Sequence, residues 1–195
     1  MPRKASVTRG QILDSATQLV RDSGHERLTA RALAARLGCS TQPILYCFAS
    51  MDDLVRTLYQ HVDALHTQAL MAGLDKAASP MLQVGLNYVR FAQDEPALFR
   101  FLFQSNGLGE QNMTQLIESG ELQPLIDVLC TEANILPAHA RQVFLTLFAC
   151  AHGLASMMAN NAITLEEQSV ADVLYAAFVG AMATEDGGHH DECAG

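Results

Sequence analysis

The chain has few of the features that would argue for strands, catalysis or a membrane. Proline and glycine are scarce inside its apolar segments, and no stretch alternates apolar and polar residues with period two. Strands therefore have no support, and an all-α protein is the direct expectation. The longest apolar run, Val143 to Ala159, is interrupted by Thr146, His152 and Ser156. It falls short of the roughly 20 residues a membrane helix needs, so it predicts a buried helix and no membrane contact. No apolar run follows Met1-Pro2-Arg3-Lys4-Ala5, which predicts no signal peptide and a cytoplasmic protein.

Paired cysteines are lacking as well. Cys39, Cys47, Cys130, Cys150 and Cys193 show no C-x-x-C spacing, and most lie in apolar segments, where they read as small hydrophobes in a reducing compartment. A thiol sensor would need a basic, accessible setting, and Cys130 and Cys150 have no cation beside them in sequence. There is no G-x-S-x-G, phosphate loop, H-E-x-x-H or convincing carboxylate pair, so no enzyme, catalytic residue or cofactor is expected. His61 and His66 are five apart, off the i, i+4 spacing of a helical ligand pair; they read as surface or pocket-edge residues. The tail from Glu185 to Gly195 carries His189, His190, Asp191 and Cys193 but no scaffold to fix a metal site. It reads as disordered, and no metal is expected.

Basic residues are few, 12 against 21 acidic, for a net charge of −9. They are also unevenly spread. Residues 1–56 hold eight basic and five acidic residues; the remainder holds four and sixteen. A polyanion would be drawn to one end of the molecule and repelled by the other. An acidic protein with chance clustering would look the same, so the split supports a nucleic-acid partner without establishing one.

What the chain does have is concentrated between Leu28 and Phe48. Thr29 can cap a short helix, with Leu28 and Leu33 placed as a hydrophobic staple. Leu33, Ala34 and Leu37 give that helix an apolar face. Gly38 suits the left-handed residue that follows a helix end. Ser40 is the expected cap of a second helix, Thr41 to about Cys47, with Pro43 in its first turn. Cys39 and Ile44 should face inward, leaving Thr41, Gln42, Pro43 and Tyr46 outside. That is a helix-turn-helix layout, whose second helix lies in the major groove. Gln42 can pair with adenine, and Thr41 can serve several bases. Two core helices with a polar tip remain the plain alternative.

The flanks extend the pattern. Thr8 to Val20 carries Ile12, Leu13, Ala16, Leu19 and Val20 on one stripe and is ended by Gly24. Ser50 is placed to cap a long helix from Asp52 to about Met71, with Asp53 at the capping-box position and Leu54, Leu58, Val62, Leu65 and Ala69 along one side. Gly73 to Ser79 reads as a loop. Pro80 opens a helix that Asp94-Glu95-Pro96 breaks; Ala97 to Phe103 is a short aromatic helix, and Ser105 to Gln111 a polar loop. A helix over about Met113 to Ala133 should break or kink near Glu121, ahead of Pro124. Ala138 to Asn160 and Glu166 to Ala183 complete about nine helices.

A helix, a helix-turn-helix and a long helix within about sixty residues resemble the TetR family of bacterial transcriptional repressors. The resemblance rests on Gln11-Ile12-Leu13-Asp14-Ser15-Ala16, Leu28-Thr29-Ala30-Arg31-Ala32-Leu33-Ala34, Gly38-Cys39-Ser40, Leu45-Tyr46-Cys47-Phe48 and Ser50-Met51-Asp52-Asp53-Leu54. It covers roughly Thr8 to Leu58; Ala151-His152-Gly153-Leu154-Ala155 is similar to a stretch of the family's late helices. Two positions depart from the pattern. Family members often have His where this chain has Cys47, and Lys where it has Met51; by that resemblance both changes would weaken backbone contacts to DNA.

The resemblance implies an N-terminal three-helix DNA-binding bundle over residues 1–50 and a helical ligand-binding and dimerisation domain over 51–184, ahead of the 185–195 tail. The expected DNA-contacting residues are Arg3, Lys4, Thr29, Arg31, Ser40, Thr41, Gln42, Pro43, Tyr46 and Ser50. The implied partner is double-stranded operator DNA, and the implied function is a repressor released by a small effector. Few polar anchors lie in the apolar segments, so the effector should be hydrophobic or aromatic, lined by Tyr88, Phe91, Phe99, Phe103, Phe148 and His152. Those six could equally be plain core. The last two helices are apolar nearly all round and must be covered, which predicts a homodimer through a four-helix interface. The competing function is a helical ligand-binding or interaction protein with weakened or lost DNA binding, which Cys47 and Met51 favour.

Overall fold

The structure is a computed structural model that describes residues 7–105, 120, 122–161 and 163–184. Among these residues it is all helical. The helices are α1 (Arg9–Ser23), α2 (Ala30–Leu37), α3 (Gln42–Cys47), α4 (Met51–Leu70), α5 (Pro80–Asp94), α6 (Pro96–Phe103), α7 (Gln123–Ala133), α8 (Pro137–Asn161) and α9 (Glu167–Met182), with short 3-10 turns at His25–Arg27 and Leu74–Lys76. They form two compact units. The first holds α1 to α4 as far as Gln68, together with α6. The second holds the chain from Ala69 through α5 to Gln93, with α7, α8 and α9.

In the first unit, Thr8 starts α1 with a reciprocal capping box. Its hydroxyl accepts the Gln11 N–H at 3.3 Å, and its own N–H reaches the Gln11 side chain at 2.9 Å. Ile12, Ala16 and Val20 are fully buried, one turn apart, as the stripe requires. Leu33, Leu54, Leu58, Val62, Leu98, Phe99 and Leu102 of the same unit are fully buried as well. On α4 the buried stripe is Leu54, Leu58, Val62 and His66. Leu65 and Ala69 are only half-buried, because a strict four-residue step carries the buried line onto His66. The expectation of a surface or pocket-edge His66 is therefore wrong: its ring packs edge-on to Phe103 at 5.2 Å.

In the second unit, Ser79 caps α5 from the position sequence assigned it, its hydroxyl accepting the Leu82 N–H at 3.3 Å. Glu132, in the last turn of α7, reinforces that end by accepting from the Ser79 hydroxyl and, at 2.9 Å, from the Met81 N–H. Helix α7 begins at Gln123 with Pro124 in its first turn; the helical stretch expected from Met113 lies outside the described residues. Helix α8 buries Ala140, Val143, Phe144, Ala151, Leu154, Ala155 and Met158. Its opposite side exposes Leu145, Ala149, Gly153 and Met157 at four-residue steps. Helix α9 buries Val170, Leu174 and Ala181 and exposes Val173, Ala176, Val179 and Gly180.

Candidate nucleic-acid interface

The α2–α3 segment is built by local rules. Thr29 accepts the Ala32 N–H at 3.1 Å and so closes the first turn of α2. At the other end Gly38 is left-handed, with φ 63° and ψ 32°. The Gly38 N–H donates to the Ala35 carbonyl and the Cys39 N–H to the Ala34 carbonyl. This pair of bonds is the Schellman stop, and a side chain at position 38 would strain it. Arg36, on the last turn, pairs with Asp22 of α1 at 2.8 Å, so its charge is committed within the unit.

Helix α3 begins one residue later than expected. Thr41 occupies the N-cap position with backbone angles that are already helical, and it makes no side-chain cap bond. The expected Ser40 cap is therefore not seen: the N-cap position falls on Thr41 and no side-chain bond closes the first turn. Ile44 is 1 % exposed and Phe48 2 %; one turn apart, they fasten α3 to the core. That leaves Gln42, Leu45 and Tyr46 on the outer side. Tyr46 is 91 % exposed and Leu45 57 %. Thr41 and Pro43 are half-buried, Cys39 likewise, and Ser40, Thr29, Arg31 and Ser50 are exposed. Arg3 and Lys4 lie outside the described residues.

The end of α3 is held by α1 and α4. The Arg9 guanidinium lies over the Phe48 ring, 4.6 Å from its centroid, and donates to the Thr57 hydroxyl at 3.0 Å. The Cys47 thiol approaches the Val7 carbonyl at 3.9 Å. Ser50 caps α4 by accepting the Asp53 N–H at 3.1 Å. The Asp53 carboxylate returns to the Ala49 N–H rather than to that of Ser50, a capping box displaced by one residue. Arg9 and Leu45 were missed from sequence. Arg9 lies nineteen residues ahead of Leu28, where the motif begins, and gives no local signal. Leu45 lies three residues after Gln42 and could have been placed on its face by helical spacing.

The six aromatic candidates are divided between the two units. Tyr88, Phe91, Phe148 and His152 belong to the second unit, Phe99 and Phe103 to the first. In the second unit the Tyr88 hydroxyl and His152 Nδ1 are 2.9 Å apart. Phe148 stacks on His152 at 5.6 Å and meets Tyr88 edge-on at 5.8 Å. Burial lowers the His152 pKa from its ordinary value, which favours the neutral ring. Phe99 and Phe103 pack on each other at 4.9 Å, with Phe99 fully buried. Burial also pushes the Cys150 thiol up, the direction opposite to that of a reactive cysteine.

The model of a tetracyclin repressor-like C-terminal domain matches residues 81–182, just over half of the chain. The chain belongs to the TetR family of transcriptional regulators. The match falls on the later helices, whereas the sequence resemblance rested mainly on the first sixty residues and, among the later helices, only on Ala151 to Ala155. No curated protein sequence matches the chain. Solved TetR structures share its fold at low identity. A TetR-like regulator from Rhodococcus sp. RHA1 is 19 % identical, with a TM-score of 0.68 over 94 % of this chain and 98 % of that one. A TetR family protein from Vibrio parahaemolyticus is 22 % identical, with a TM-score of 0.63 over 90 % and 96 %. A TetR variant from Acinetobacter baumannii AYE, solved in complex with minocycline, is 16 % identical, with a TM-score of 0.58 over 92 % and 97 %.

Proposed function

We propose that this TetR family regulator is a cytoplasmic repressor that binds double-stranded operator DNA as a homodimer and is released by a small hydrophobic or aromatic molecule. One observation carries the DNA reading. Helix α3 turns Ile44 and Phe48 inward and leaves Gln42 and Tyr46 outward. A helix held in this way fits a major groove about 12 Å wide. Gln42, Thr41 and Tyr46 then meet base edges, with Pro43 beside them, and Ser40, Thr29, Arg31, Ser50 and the Arg3-Lys4 arm meet the backbone. The positive surplus of the first 56 residues favours this placement. We assign DNA binding to residues 1–50 and effector binding and dimerisation to 51–184.

The dimer reading is supported by the outward apolar faces of α8 and α9, where Leu145, Met157, Val173 and Val179 are all exposed. Paired through these faces, two copies can present their α3 helices one DNA turn apart, about 34–36 Å. The effector reading is supported by the neutral Tyr88–Phe148–His152 cluster. By resemblance to the family, an effector shifts the population of α4 tilts and so changes the α3 separation. Selection of bound genomic fragments by the full-length protein tests the reading. Enrichment of two-fold symmetric sites, with loss of binding on addition of a hydrophobic compound, is the expected result. No enrichment at moderate salt would favour the helical interaction protein that has lost DNA binding.

A further inference from the structure

The exposed side of α3 is not uniformly polar. Between Gln42 and Tyr46 stands Leu45, 57 % exposed, on a six-residue helix. Gln42, Leu45 and Tyr46 are at i, i+3 and i+4, so they share one face, while Ile44 and Phe48 use up the inward one. Leu45 is thus not a core residue that strayed; it is the central member of the outward stripe.

A leucine has nothing to hydrogen-bond, so against nucleic acid it can read only an apolar group. The major groove presents one such group, the C5 methyl of thymine. We infer that Leu45 is a specificity-determining residue that packs against a thymine methyl in each operator half-site. This rests on the DNA reading above and deepens it by naming a base. Neighbouring side chains at i and i+3 are about 5–6 Å apart on a helix face, and successive bases rise about 3.4 Å. The Leu45 thymine therefore lies one or two base pairs from the adenine that Gln42 pairs with. Each half-site carries an A·T-containing step whose methyl is needed, and a G·C pair there is rejected because it offers Leu45 no methyl.

The test uses full-length wild-type protein and the L45A variant. An exposed leucine can be removed without emptying the core, and an unchanged melting temperature for L45A checks this. A site is selected from random duplexes, and each of its thymines is then replaced singly by deoxyuridine, which lacks only the methyl. Binding is measured by fluorescence anisotropy at fixed salt. One uridine position per half-site should weaken wild-type binding about fourfold, the worth of one buried methyl group. The same replacement should leave L45A binding unchanged, and L45M should restore the methyl dependence. Uridine replacements that are silent for wild type, or equally costly for L45A, overturn the assignment of Leu45 while leaving DNA binding in place. Failure to select any site overturns the DNA reading itself.

Discussion

Arg21 Nε donates to both carboxylate oxygens of Glu95, at 3.1 and 2.8 Å, tying the end of α1 to the residue before α6. Both side chains are about two-thirds covered, with 30 % and 28 % left exposed. Beside this clasp α6 buries Leu98, Phe99, Phe101 and Leu102. The pair therefore orients a helix that lies far along the chain against the first one. A double-mutant cycle of R21A and E95A, read by thermal denaturation, should give a coupling of about 1 kcal/mol, above that of most exposed pairs. A coupling indistinguishable from zero would make the clasp incidental.

His66 supplies a pH test. Burial lowers its pKa to about 4, against the ordinary 6.5. The fold thus prefers the neutral ring, and the unfolded chain binds the proton first. Stability is full above about pH 6.5 and declines as the pH falls toward 4, by up to roughly 3 kcal/mol from this group. Melting between pH 7.5 and 4.5 should show H66F losing less stability than wild type. Parallel pH profiles would contradict the burial argument.

Asn87 predicts a different kind of loss. It is 4 % exposed, and its Nδ2 donates at 2.9 Å to the carbonyls of both Leu70 and Ala72, at the end of α4. Its Oδ1 accepts from Gln83 and Arg90, and Arg90 reaches Glu167 of α9. N87A leaves the end of α4 without these two donors and should cost about 2 kcal/mol. Hydrogen exchange should quicken over residues 70–74. A loss under 0.5 kcal/mol, outside what an abandoned pair of carbonyls permits, would mean that water replaces the amide without cost.

The outward faces of α8 and α9 make the dimer testable without disturbing the core. V173E and V179E each place a charge at an exposed position, so the protomer should keep its helicity. Sedimentation at micromolar concentration should change from a dimer to a 21.1 kDa monomer. Wild type that sediments as that monomer would remove the reason for these apolar faces.

Much of this could be read from the residues, because the signals were local. Thr8, Thr29, Ser79, Pro80, Gly24 and Gly38 stop or start helices by rules that act within one turn, and each sits at a helix end. Capping failed where two candidates were adjacent. Ser40 and Thr41 both suit an N-cap, and only the backbone of the turn decides that the position falls on Thr41. What depended on distant partners was illegible. Nothing near Glu95 announces Arg21, and His66 is buried because of Phe103, thirty-seven residues on. The aromatic candidates were grouped by composition, which cannot tell that Phe99 and Phe103 fold with one unit and Tyr88 and His152 with the other.

The direct test of the whole account is the affinity of full-length protein for its selected duplex, compared with Q42A, Y46A and the double variant. All four side-chain sets leave Ile44 and Phe48 in place, so each protein should melt and sediment like wild type. The account predicts that the double variant loses specific binding by at least about a hundredfold while weak, salt-sensitive binding persists. Undiminished sequence-specific affinity in that variant would contradict it, because the outward face of α3 would then not be what meets the bases.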